Sequence, residues 1–310
     1  MPAHFQNEAL PERDLMNILV HGNALLALAA AVLWGGGDFS GGMGAKHAGG
    51  TMGSALRVIL VSHASSFAAL LLIVWLRGDR FPEGAALWWG VGAGVMGGLA
   101  LMCFYVALSR GAMGASAAVS GLLAAAIPAA VSAVAEGSPG LLRVAGFVVA
   151  GAAIWLIAEG PNAEAKPAST GTIWLAVAAG VGFGVYFVAL KMAGSAGVFW
   201  PMATARMGSL STCSLVLAGM TLSSRPAMAE ARLTRAAVVW ALSTAVMDTS
   251  GNLLFIAATR AGRLDVAAVL ASLYPASTIL LAAWMLHERP TRRQGLGMVV
   301  AAAAVVMITL

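Results

Sequence analysis

Apolar stretches of about twenty residues follow one another along nearly the whole chain, parted by short polar breaks. A stretch of that length lets an α-helix cross the hydrocarbon core of a bilayer. Ten can be marked, at residues 23–45, 51–76, 86–108, 113–135, 141–158, 171–191, 198–221, 236–257, 264–286 and 293–310. Strands of a membrane barrel are about half as long, so the pattern predicts helices. The expected fold class is an all-α integral membrane protein with ten transmembrane helices. A tail over residues 1–22 and a linker over 159–170 lie outside the spans.

The stretches form two sets of five that echo each other. Trp34 to Lys46 (WGGGDFSGGMGAK) parallels Gly180 to Lys191 (GVGFGVYFVALK), both rich in glycine and closed by lysine. The next stretch in each set carries an arginine near its start, Arg57 and Arg206. Phe104 to Gly111 (FYVALSRG) is echoed by Phe255 to Gly262 (FIAATRAG). An odd number of spans per copy turns the second copy upside down in the bilayer. The expected domains are therefore two inverted five-helix repeats, residues 23–158 and 171–310. In that architecture substrate sits where the halves meet.

Composition sharpens this picture. Residues are 60% hydrophobic and only 10% charged, so no soluble domain of any size is expected. The tail is mildly acidic and no small-residue cleavage site closes the first stretch, which speaks against a signal peptide. The calculated pI of 9.8 reflects a few loop arginines, so the expected contact is lipid and not nucleic acid. Cys103 and Cys213 fall inside apolar stretches and offer neither a disulfide framework nor metal spacing; no metal or other cofactor is expected. Tryptophans 75, 88, 89, 174, 200, 240 and 284 lie near span ends, as interfacial belts require. Lysine and arginine are spread nearly evenly between the two sets of loops, so charge alone leaves the orientation open.

At the repeated segments the chain resembles the EamA branch of the drug/metabolite transporter (DMT) superfamily. The resemblance is carried by FIAATRAGRLDVAAVLASLYPASTILLAAWMLHERPTRRQGLG, Phe255 to Gly297. It has an Ala-rich helix end, Tyr274-Pro275, Glu288, and a glycine opening the last helix. The first half departs from the pattern: no tyrosine precedes Pro128, and Glu136 follows it too soon. The resemblance implies two EamA repeats with cytoplasmic termini around a central cavity. It also implies a multi-pass protein of the bacterial cytoplasmic (inner) membrane that exports small metabolites such as amino acids or drugs. A monomer is expected.

Ionisable groups deep in a membrane cost about 2.5–3.5 kcal/mol on insertion scales, so each is a candidate for function. Asp38 and Asp248 are such groups, and their repeat counterparts are apolar. Acids that break the symmetry suit a task done once per molecule, such as holding a substrate ammonium or carrying a proton. The competing reading pairs them with Arg57 or Arg206 as scaffold. Either arginine can also meet a substrate carboxylate through its planar fork. Asn252 shares a helix face with Asp248. Trp34 stands in mid-span as core or cavity wall, and Tyr186 is a candidate cavity aromatic. His63 reads more readily as a packing histidine than as a relay. Lys46 and Lys191, at helix ends, read as snorkelling to the headgroups.

A secondary transporter working by alternating access is the leading function, with proton coupling compatible with the acids. The chain is read as no enzyme, and no phosphate-cradling Walker sequence is present. The alternatives are a channel or non-transporting scaffold and, more remotely, an intramembrane aspartyl protease. The last is suggested only by Gly35-Gly36-Gly37-Asp38, a GxGD string.

Overall fold

The computed structural model describes residues 12–109, 113–158, 170–223, 233–287 and 290–310. The helices are α1 (Glu12–His47), α2 (Met52–Arg77), α3 (Ala85–Ser109), α4 (Met113–Ala135), α5 (Leu141–Ala158), α6 (Thr170–Ala193), α7 (Phe199–Leu222) and α8 (Arg235–Ala261). They continue as α9 (Leu264–Ala271), α10 (Tyr274–Met285) and α11 (Arg292–Thr309), and no strand occurs among the described residues. Nine of the ten expected stretches are single helices. The ninth is broken at Ser272–Leu273, ahead of Pro275, whose ring cannot continue the preceding hydrogen-bond ladder.

Local chemistry sets the ends. Thr51 and Ser54 form a capping box at the start of α2, and Gly78 closes that helix in the left-handed conformation at φ 68°. Thr291 and Gln294 repeat the capping box at α11. Among the described residues, eight stretches are long and apolar enough to cross a membrane. α4 supplies a shorter one, Val119–Ala135. α7 falls outside the set because Thr204, Arg206, Ser209 and Thr212 dilute it. It compensates by position, with Pro201 to Arg206, Gly208 and Ser209 all buried in protein.

Helices pack as α1 on α8, α3 on α6, α2 on α8, α3 on α7, α4 on α6, α1 on α9 and α10, and α5 on α11. Shifting every span by five maps each of these pairs onto another pair of the set, or onto itself. Small residues make the close approaches. A Cβ on Gly94 would strike the Ala205 carbonyl, and one on Gly208 the Val91 carbonyl, so α3 and α7 touch backbone to backbone. On α6, a Cβ at Gly180 would strike the Ser120 carbonyl of α4, and one at Gly184 the Ile127 side chain. Trp75, Trp88, Trp174 and Trp284 remain on the outer surface near helix ends, where a lipid interface would receive them.

Candidate functional site

Asp248 lies at the midpoint of the 27-residue α8, thirteen residues from either end. About 20 Å of helix on each side separates it from the interfaces. Its carboxylate forms an ion pair with Arg206 of α7, whose side chain is only 4% exposed, against 30% for Asp248. The same guanidinium donates to Thr249 Oγ1 at 2.8 Å. Asn252, one turn along α8, donates to the Asp248 main-chain oxygen at 2.8 Å and to its Oδ1 at 3.2 Å. The Tyr186 hydroxyl of α6 then donates to Asn252 Oδ1 at 2.6 Å. Arg206, Asp248, Asn252 and Tyr186 thus form one hydrogen-bonded chain across three helices.

α1 reaches this chain through its glycines. A Cβ on Gly37 would sit 3.2 Å from the Asp248 backbone nitrogen, so the helices meet there without side chains between them. Asp38 is therefore next to Asp248 along the chain contact. It stands one turn beyond Trp34 on the same face, and it is solvent-exposed although Gly37 and Phe39 beside it are buried.

An aromatic floor lies under these groups. Trp34 stacks on Phe187 with centroids 5.2 Å apart and planes 9° from parallel. Phe255 and Tyr274 pack against the same indole at 5.5 Å and 6.4 Å. The indole Nε1 is buried without a hydrogen-bond partner, an available donor in an otherwise apolar surround. α3 contributes room instead of contacts: a Cβ on Gly97 would come within 3.1 Å of the Tyr186 ring.

Of the seven residues singled out in the sequence, Asp248, Asn252, Arg206 and Tyr186 are joined directly. Asp38 adjoins them and Trp34 floors them. Arg57 stands apart in depth, five residues into α2, while Arg206 is seven residues into α7 from the opposite face. Asp248 pairs with Arg206, one of the two arginines the sequence offered it. His63 meets Ser209 Oγ at 2.9 Å through Nδ1, a partner that sequence spacing does not reveal. Phe255, which the sequence marks only as the start of a repeated string, joins the aromatic floor, and seven residues after Asp248 it lies on the same helix face.

A second polar cluster joins helices at one end of the bundle. Lys191 at the end of α6 forms an ion pair with Glu136 at the end of α4. It does not snorkel outward as its position suggested. Arg263 binds the fully buried Asp265 at 2.7 Å and donates to the carbonyls of Glu136 and Gly137. Asn23 of α1 donates to the Arg263 carbonyl at 3.0 Å. α1, α4, α6 and α9 are thus tied together at this end. Glu288, the other junction acid, lies outside the described residues.

An all-helical chain with repeated apolar spans and a polar cluster at mid-depth defines a multi-pass integral membrane protein. Residues 170–310 match the EamA-like transporter family, part of the DMT superfamily. The family's proteins are transporters and not enzymes. A solved crystal structure of a protein 16% identical in sequence superposes with a TM-score of 0.73, covering 93% of this chain and 96% of its own. At that identity the likeness speaks for the fold alone. No curated relative matches the chain.

Proposed function

We propose that the chain is a secondary transporter of small metabolites, built from two inverted five-helix repeats that alternate access to a central cavity. The observation that carries the reading is the mid-depth chain Arg206–Asp248–Asn252–Tyr186 beside Asp38. Buried charge at the centre of a bilayer is costly, and here it collects where helices of both repeats meet. The five-span exchange symmetry of the packing supports the repeat arrangement. The polar cluster at Lys191 and Glu136 fits a closed gate on one face, with Asp38 reached from the other.

Asp38 offers an acceptor for a substrate ammonium, and Arg206 a fork for a carboxylate once Asp248 releases it. That combination suits zwitterions such as amino acids. Export from a bacterial cytoplasm across the inner membrane, by a monomer coupled to protons, is the form of the reading we favour. Asp248 gives its charge to Arg206, which disfavours the proton-sharing pair of acids that an aspartyl protease needs. The test is growth protection against toxic amino acids and their analogues, followed by counterflow in proteoliposomes. Asp38→Asn and Asp248→Asn variants that reach the membrane should lose protection. Full transport in both removes these acids from the mechanism.

A further inference from the structure

At the end of the bundle that carries Lys191 and Arg263, but facing outward, a cavity of about 390 Å³ opens between the end of α2, the start of α7 and the end of α8. Arg77, Arg80 and Arg260 line it against a single acid, Asp79. Arg77 lies over the Phe199 ring at 5.1 Å and binds Asp79 at 3.0 Å, which fixes its fork. Arg260 is anchored by donating to the Gly194 carbonyl. Arg80 is exposed at the cavity's edge. α7 begins at this cavity with no side chain capping Val198, so the N–H groups of its first turn add to the positive character.

The surroundings identify the depth. Leu72, Trp75 and Leu76 on α2 are exposed on the side leading to the cavity, and Trp75 is 75% exposed. Phe81 packs edge-on against Trp200, whose indole donates to the Asp79 carbonyl at 3.3 Å. Exposed leucines giving way to aromatics and then to arginines is the order met on passing from acyl chains to headgroups. We infer that this cavity is a binding site for a phosphate group, filled by the headgroup of an anionic phospholipid. Arginine forks match phosphate oxygens in pairs, and at this depth the phosphodiesters of lipids are the abundant source. The net positive lining selects an anionic headgroup over a zwitterionic one. This site is separate from the mid-depth cluster and does not depend on what is transported.

The experiment uses the purified full chain in nanodiscs of phosphatidylcholine, alone or doped with phosphatidylglycerol. Lipids retained on release are counted by native mass spectrometry. The wild type should retain phosphatidylglycerol in preference to phosphatidylcholine. Arg80→Gln should weaken the preference by about fivefold, and Arg77→Gln/Arg80→Gln by more than either change alone. Arg80→Lys should lie between wild type and Arg80→Gln, since it keeps charge but not the fork. Melting in pure phosphatidylcholine certifies that each variant is folded, and those midpoints should match the wild type. A separate arm adds inorganic phosphate to pure phosphatidylcholine discs. Stabilisation there that Arg80→Gln abolishes, without any phosphatidylglycerol preference, would make free phosphate the ligand and overturn the lipid assignment. An undiminished preference in the folded double variant, or none in the wild type, overturns the site.

Discussion

The Arg206–Asp248 pair is asymmetric, and the asymmetry predicts unequal damage from its two halves. Arg206 is almost wholly enclosed at 4% exposure, whereas Asp248 keeps 30% of its side chain open and retains Asn252 as a donor at 3.2 Å. Asp248→Asn removes the countercharge of the enclosed guanidinium and leaves it only neutral acceptors, Thr249 Oγ1 and the amide oxygen at position 248. Removing one partner of a buried pair costs about 3–5 kcal/mol, and this variant should pay that in full. Arg206→Met leaves an acid that is 30% exposed and still accepts a hydrogen bond from Asn252 at 3.2 Å. Its loss should be about 1–2 kcal/mol, nearer the value of a charged hydrogen bond. The double variant removes the stranded charge along with its partner, so it should recover about 2 kcal/mol relative to the summed single losses. Reversible unfolding in mixed micelles of increasing denaturing-detergent fraction gives all three values. Equal losses from the two single variants, or strict additivity in the double, would show that the pair is not a buried, coupled unit.

Other expectations are as concrete. Gly94→Ala drives a Cβ into the Ala205 carbonyl and should abolish a monodisperse product, while Gly92→Ala, with nothing within 4 Å, should be neutral or stabilise by about 0.5–1 kcal/mol. Tyr186→Phe removes the donor to Asn252 and should cost about 1 kcal/mol in the same micelle titration, with substrate exchange in proteoliposomes slowed. Cys213 is 1% exposed and should resist maleimide in the folded protein, while the half-buried Cys103 reacts first; mass spectrometry of timed samples distinguishes them.

The helices were legible because a bilayer demands unbroken runs of apolar residues, and those runs stand in the sequence. α7 shows the limit of that signal. Its polar residues look like a weak span, and only the packing shows that Thr204, Arg206 and Ser209 are buried against protein. The break at Ser272–Leu273 was visible as Pro275 inside a span, but a proline alone does not distinguish a kink from two helices, as intact α4 with Pro128 demonstrates. Asp248 and Asn252 could be joined on paper because they share a helix. Arg206 lies 42 residues away and Tyr186 lies 66 residues from Asn252, so their meeting depends on helix packing that no local pattern encodes. Similarly, the juxtaposition of Asp38 and Asp248 rests on Gly37, a residue whose contribution is an absent side chain.

The interrupted ninth span divides labour along its length. Every residue of α9 is enclosed by neighbouring helices, whereas no residue of α10 is fully enclosed. The joint at Ser272–Leu273 is a tightened turn, with the Ser272 N–H donating to the Ala268 carbonyl at 3.0 Å and the Leu273 N–H to that of Leu270 at 3.2 Å. Pro275 has no N–H to add, so fewer backbone bonds tie α10 to α9 than in a continuous helix. Trp34 and Tyr274 touch beside that joint, so the break in the span and the aromatic floor share a contact.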